Sequence, residues 1–494
     1  MQFGSNNAGS ENAEWKLSNA NASYRLKGYS VSLGALSGTA GTLSNGGLNS
    51  GIGAATVTIG GKGIDSTFGG LIIDGSAALS VVKAGVGTLT LNGTSSYTGG
   101  TTVSAGRLRG TTSGIQGAIT NNAAVEFSQA ISGTYAGIMG GSGSLTKSGV
   151  GSVTLSGANT FSGLTDVQAG TLVYGVANAL GAGDVQVSGG TLNVATFSDS
   201  VGTVTLAGGS IVGTTGVLSG TAYDVRSGSI SAILGGVSAG LTKSTAGSVT
   251  LSGINTYSGV TAVNAGTLEV DGSIAASSGV GVASGATLGG SGAVSVVSGA
   301  GLVSPGNSPG ILTATSLDPS TGLDFGFEFT GTGSPNYASA TNSTNDVLRL
   351  TGATPSLAAL SPNNTVSVYF DGSILAGDTF RGGTYADSAT TAGARDAFAS
   401  AIAGANWQYY VFGNGCGSHS FGGRSYYTLA EYDPTLTIDR TVVAETADFA
   451  GGTAQCAVTQ FSFVPGPGAI GLVAAALGGL AAASLRLRSR GWRA

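Results

Sequence analysis

Charge is scarce in this chain. Of 494 residues, 24 are acidic and 19 basic, and four of the basic ones (Arg486, Arg488, Arg490 and Arg493) crowd into the last nine positions. A net charge of -5 over this length provides no basic patch to hold a nucleic acid. Histidine occurs once, as His419, and cysteine twice, as Cys416 and Cys456. Cys416-Gly-Ser-His419 has the look of half a metal site or a Cys–His pair, but a closed zinc site would need a carboxylate that the pattern does not supply. No metal or cofactor is therefore expected. Lys, Glu and Arg, the polar helix formers, are rare, while Gly numbers 89, which argues against a helical protein. A hydrophobic content of 41% and a mean hydropathy of +0.28 argue equally against disorder. A large, glycine-rich β-protein remains.

Its organisation is written in a repeat. Val81–Leu108, Leu145–Leu172 and Leu241–Leu268 align without gaps over 28 residues. Each holds two alternating stretches. In the second copy Val153 and Leu155 share one face and Thr154 and Ser156 the other; then Thr165, Val167 and Ala169 face inward and Asp166 and Gln168 outward. The inward set is nearly unchanged in the other copies (Thr101, Val103, Ala105; Thr261, Val263, Ala265), whereas the outward positions vary freely. Glycines at fixed places (Gly93, Gly157, Gly253; Gly106, Gly170, Gly266) are expected to turn corners with positive φ. Lys83, Lys147 and Lys243 share one repeat position and read as charges that blunt strand edges.

Twenty residues separate Leu172 from Leu192, and again Leu268 from Leu288. Coils of that length stack as a parallel β-solenoid, a right-handed β-helix, in which no coil buries its apolar face alone. About fifteen such coils at ~4.8 Å per stacked strand would give a rod on the order of 70 Å. Sandwich domains, the competing all-β reading, would show hairpin turns and domain-sized boundaries instead.

The 28-residue unit resembles the autotransporter-associated β-strand repeat, whose pattern begins Leu-Thr-Lys-x-Gly and ends Gly-x-Leu. The third copy departs from it at Thr245, where Gly is usual, and the first at Ser95, where Asn is usual. The resemblance covers roughly residues 50–315 and ends in Ser304-Pro-Gly-Asn-Ser-Pro-Gly310, similar to the closing motif of such arrays. It implies a surface-displayed passenger, structural or adhesive, as in adhesion or biofilm structure. Residues 1–317 are assigned to this solenoid. Residues 318–462 are too few for the twelve-stranded translocating barrel that would follow in an autotransporter. They hold more charge, more aromatics and both cysteines, and read as a β-rich domain capping the solenoid, with strands at Thr365–Asp371 and Leu436–Val443 and one short helix at Ala394–Ala403.

Residues 463–494 have a different character. Val464-Pro465-Gly466-Pro467-Gly468 precedes seventeen apolar or small residues, Ala469–Leu485, long enough to cross a bilayer as a helix, and the four arginines mark its cytoplasmic end. This tail resembles the PEP-CTERM sorting signals read by exosortase-type membrane proteases, with Gly466 where that family has Glu. The resemblance implies such a protease as partner and a protein held in the inner membrane until processed; a plain membrane anchor is the alternative. Because an exported domain meets oxidising conditions, Cys416 and Cys456 are expected to form a disulfide closing about forty residues. The residues after Met1 show no export signal, so the true start is expected upstream.

Catalytic patterns are weak. Gly236-Val-Ser238-Ala-Gly240 and Gly306-Asn-Ser308-Pro-Gly310 match the nucleophile elbow, but Pro309 lacks the N–H that the second would need, and the first is a match expected by chance in a Gly/Ser-rich chain. A polysaccharide-cleaving enzyme on a β-helix, the alternative function, would draw on paired carboxylates among Asp65, Asp74, Glu126, Asp166, Asp184, Asp199, Asp224, Glu269 and Asp271. Only Glu269 and Asp271 could share a strand face, and Asp271-Gly272 reads better as a turn. The calcium-binding nonapeptide pattern is absent. The leading expectation is an exported, non-catalytic surface or matrix protein, with extracellular polysaccharide or neighbouring surface molecules as partners.

Overall fold

The structure is a computed structural model describing residues 1–46, 53–306, 309–331, 345–351, 363–370, 379–386, 403–412, 419–421, 424–428, 436–449 and 452–465. The chain divides into two compact units, 1–259 and 260–494. Both are built as parallel β-solenoids from short strands of β-branched and small residues, and no helix longer than an isolated turn occurs among the described residues.

In the first unit each coil contributes up to three strands, one to each side, and like sides pair in parallel. Thr165–Val167, Val185–Val187, Val204–Leu206, Tyr223–Val225 and Leu241–Lys243 stack in register along one side. Ser152–Leu155, Thr171–Tyr174 and Thr191–Ala195 stack along the next. Leu172 lies directly opposite Leu192, as the twenty-residue spacing predicts. Alternation follows the sequence: Val153, Leu155, Leu172 and Val167 are buried, while their neighbours point outward. Ala105, Ala169 and Ala265 depart from it, standing half-buried in the turn past the strand end rather than in the core, and Glu126 and Thr146 are buried at outward positions.

Copies of the repeat do not all occupy the same side. The last leucine of the first copy, Leu108, stacks through Val125 onto Leu145, the opening leucine of the second. The second copy is thus advanced by one side of the cross-section. From there to the third copy the side is kept, Leu145 stacking through Thr165, Val185, Val204 and Tyr223 to Leu241.

The repeat lysines are not edge charges. Lys83, Lys147 and Lys243 are buried to 1%, 0% and 0% exposure. Lys147 Nζ donates to the carbonyl oxygens of Ser148 (2.9 Å) and Gly149 (2.8 Å) in its own corner and of Ala169 (2.9 Å) one coil on. Lys83 does the same with Ala84 (2.6 Å), Gly85 (2.7 Å) and Ala105 (3.1 Å), and Lys243 donates to the Thr245 carbonyl. A strand ladder stops at a corner, so the carbonyls there need other donors, and an ammonium supplies three. Burying the charge is costly, and only a full set of charge-assisted bonds offsets it.

The corner glycines divide by role. Gly106, Gly170 and Gly266 have φ of 67°, 64° and 66°, as expected. A Cβ on Gly170 would also stand 2.8 Å from Lys147 Nζ, so the glycine leaves the lysine its place. Gly93, Gly157 and Gly253 do not have positive φ. They are glycine because a Cβ would fall 1.8, 2.3 and 2.5 Å from a carbonyl oxygen of the coil below.

A buried asparagine completes the repeat. Asn159 Oδ1 accepts from Met139 N (2.7 Å) one coil back while its Nδ2 donates to Gly157 O (3.0 Å), and Asn255 bonds Leu234 N and Gly253 O in the same way, each at 3.0 Å. Ser95 in the first copy reaches only Ile72 N, at 3.4 Å.

In the second unit Thr267–Val270, Thr287–Gly290 and Leu302–Pro305 stack in parallel, with Leu268 opposite Leu288. Stacking continues past the Ser304–Gly310 motif and across residue 318: Ile311–Asp318 pairs in parallel with Val347–Leu350, and Asp324–Phe329 with Thr365–Phe370, which pairs with Asn406–Phe412. What holds the motif is Asp346, fully buried, accepting from Gly310 N and Glu328 N at 2.7 Å each. Strand pairing then turns antiparallel, ending in the hairpin of Leu436–Phe449 with Gly452–Pro465. Phe329, Phe370, Phe461 and Phe463 form its core, with Phe370 and Phe463 edge to face at 4.8 Å. Both strands expected from sequence are present. The helix expected at Ala394–Ala403 lies outside the described residues except for Ala403.

Two outcomes test the corner chemistry. Lys147→Met should lower stability by about 2–4 kcal/mol in urea unfolding, because it leaves three corner carbonyls without a donor. Burial pushes the Lys147 ammonium down to about 8 from its ordinary 10.5. The unfolded chain therefore binds more protons between those values, and wild-type stability should rise with pH across that window relative to Lys147→Met; parallel curves would contradict the assignment. Ser95→Asn should raise the melting temperature, by roughly 0.5–1 kcal/mol of added stability, by restoring the second bond.

Candidate functional site

The outward residues of the solenoid form columns, one residue per turn. On one side of the first unit Thr90, Arg109, Glu126, Thr146, Asp166, Gln186, Thr205, Asp224 and Thr242 succeed one another in register. On the next, Ser152, Thr171, Thr191, Ser210, Ser229 and Thr250 do so, all of them hydroxyl-bearing. The spacing of ~4.8 Å follows from the parallel ladder, so a residue chosen freely on each coil becomes a regular polar surface. Neighbours within it already bond: Thr191 Oγ1 lies 3.0 Å from Ser210 Oγ, and Ser188 donates to Asp166 at 2.7 Å.

One charged cluster lies on the first column. Glu126 pairs with Arg107 at 2.6 Å and Arg109 at 3.2 Å and accepts from Ser148 Oγ at 2.6 Å. Burial opposes its ionisation, but the Ser148 hydroxyl and the two guanidiniums outweigh that and hold its carboxyl below the usual range. The cluster is an internally satisfied network.

Most of the remaining carboxylates considered for catalysis are spread among structural tasks. Asp65 accepts from Thr88 N, Asp74 from Leu79 N and Thr98 N, Asp184 from Thr203 N, and Asp199 from Leu180 N and Ser200 N, while Asp224 pairs with Arg226 at 2.7 Å. Glu269 stands half-buried opposite Gly289, and burial, then the charge of Asp271, push its carboxyl up to about 7. The strand ends at Val270, so Asp271 lies in the turn and accepts from Ser291 N at 3.2 Å. The pair is therefore not presented on one strand face. No group of His, Cys, Asp and Glu suited to a metal occurs among the described residues.

Ser238 has φ of 62°, the left-handed geometry that a nucleophile elbow also requires. Here it turns a corner between Ile233–Gly235 and Leu241–Lys243, with its N–H donated to Ser258 Oγ at 3.0 Å.

Of the tail residues singled out in the sequence, Val464 and Pro465 close the last strand, opposite Thr437 and Leu436. Gly466, Pro467, Ala469–Leu485 and the arginines Arg486, Arg488, Arg490 and Arg493 lie outside the described residues. Among the described residues no helix is long and apolar enough to cross a membrane. Cys456 lies in the same last strand, opposite Glu445, and Cys416 lies outside the described residues.

Sequence reasoning missed the lysine clamps. Their signal was present: a charged residue held at one repeat position, always two strand positions after a buried Leu or Val and followed by a corner.

Comparison with known proteins agrees with this anatomy. Residues 81–109, 145–173 and 241–270 match the family described as Passenger-associated-transport-repeat. The Adhesin BmaC autotransporter of Brucella suis biovar 1 (strain 1330) is 34% identical over 206 residues, a match covering 39% of this chain and 6% of that protein. The chain thus spans a small fraction of that relative's length. No solved structure matches it. Among its described residues the chain is an all-β solenoid, with three segments that match the passenger-associated transport repeat.

Proposed function

We propose that the chain is an exported, non-catalytic protein of the cell surface or extracellular matrix, structural or adhesive, that presents its outward columns to polysaccharide or to neighbouring surface molecules. The observation that carries this reading is the 206-residue likeness to an adhesin autotransporter, falling on a chain whose repeat positions serve packing and whose outward positions are free to vary. The carboxylates engaged as turn and corner partners favour display over turnover.

Delivery by the C-terminal tail is part of the same proposal. An exosortase-type protease would act at Val464-Pro465-Gly466-Pro467, and the Ala469–Leu485 helix would hold the protein in the inner membrane until then. The antiparallel region before it would cap the solenoid, blocking an edge that would otherwise pair with other chains. Cys416 and Cys456 would be joined as a disulfide.

Mass analysis of surface-released protein should find a C-terminus close to Pro465, and Gly466→Glu should raise the released fraction. Full-length, membrane-bound chain alone, unchanged by that substitution, would make the tail a plain anchor. Two thiols reactive in the native protein would remove the disulfide.

A further inference from the structure

One coil of the first unit breaks the ladder on its third side. Where the next coil places a strand and the one before it only the Ile73–Ser96 bridge, residues 111–117 form a tight turn, with Gly114 N and Ile115 N both donating to Thr111 O at 3.0 Å. The next coil resumes with Gly133–Tyr135, which pairs only with Ser152–Leu155 above it. Between the turn and that strand lies a pocket of about 510 Å³.

The pocket is built and held open. Tyr135 Oη donates to Gly117 O at 3.0 Å, Tyr97 Oη accepts from Gln116 N at 3.1 Å, and Gln129 Oε1 accepts from Thr112 N at 3.0 Å. It is closed at both ends. A Cβ on Gly133 would stand 2.1 Å from Thr112 Oγ1, and one on Gly137 would stand 2.2 Å from Gly117 O. An extended peptide cannot thread through it.

Its chemistry is neutral and two-sided. None of its lining residues carries a charge. Tyr135 O is taken by Ser156 N on the paired edge at 3.1 Å, so its neighbour Thr134 turns its N–H and C=O to the open edge, beside its own exposed hydroxyl. Beside it the apolar share of the accessible lining comes from Ala136 and from Ile138, which is 54% exposed, while Ile115 and the Tyr135 ring are buried beneath. A charged ligand would lose hydration without finding a counter-charge, and a purely apolar one would cover the Thr134 amide edge without satisfying it. A ring with hydroxyls on its rim and C–H groups on its face satisfies both the amide edge and the apolar lining.

We infer that this pocket binds one neutral sugar residue, the end or side unit of a glycan. The inference goes beyond the surface role proposed above and stands separately from it, since it concerns the purified chain and no export step. Saturation-transfer NMR and calorimetry on the full chain would use methyl glycosides of glucose, galactose, mannose and N-acetylglucosamine, with methyl glucuronide as the charged comparator. At least one neutral glycoside should bind, with a Kd on the order of 1 mM, and the glucuronide at least tenfold more weakly. Ala136→Trp, which fills the mouth from an exposed position, and Ile138→Asp, which charges it, should each weaken binding at least tenfold with the melting temperature unchanged. Binding of none of the four glycosides, equal binding of the glucuronide, or affinity untouched by both substitutions would overturn the inference. Failure here would leave the release and C-terminus results of the tail experiment as they are.

Discussion

Every coil of this fold has to satisfy the backbone groups at its corners. Along a side, each N–H and C=O pairs with the coil above or below; where the chain turns, that pairing becomes incomplete inside the protein, and water cannot take over. Buried polar side chains do it instead, each matched to what the corner leaves open. Lysine answers where three carbonyls converge, as Lys83 and Lys147 do. Asparagine and glutamine answer where donor and acceptor are both needed: Asn45 accepts from Gly28 N and donates to Ala78 O, and Gln129 accepts from Thr112 N and donates to Ser152 O. Asp199 answers where only N–H groups remain.

This constraint explains why the repeat is conserved in some positions of the chain and loose in others. Inside, Leu, Val and Thr fill the space between the sides, the corner residue fixes the register, and glycine stands wherever a lysine head or a neighbouring carbonyl needs the room. Along the outward columns the ladder runs through the backbone, and side chains there add links such as Glu126 with Arg107 and Thr191 with Ser210. The first copy can therefore sit one side of the cross-section away from the second, and the columns of Thr, Ser, Asp and Gln can vary coil by coil without loss of the fold. A surface that varies on an unvarying core suits recognition and display.

Much of this was legible in the residues. The alternation of Val153 and Leu155, the spacing of Leu172 to Leu192 and the positive φ at Gly170 all follow from periodicity and local sterics. What was not legible depended on the third dimension. Lys147 reads as a surface charge because lysine usually is one; only the meeting of its own corner with that of Ala169, one coil later, makes burial worthwhile. Gly157 reads as a turn glycine, but its reason lies in the Gly137 carbonyl of the coil below. The pocket at residues 111–117 could not be read either, since it arises where one coil fails to supply a strand and the next one does.

The most direct measurement is chemical footprinting of the six lysines in the native protein by reductive methylation and mass analysis. Lys16 and Lys62 are exposed, whereas Lys83, Lys147 and Lys243 are enclosed by corner carbonyls. The account predicts rapid modification of Lys16 and Lys62 and protection of the three repeat lysines until the chain is unfolded. Modification of Lys83, Lys147 and Lys243 at the rate of Lys16 would contradict it.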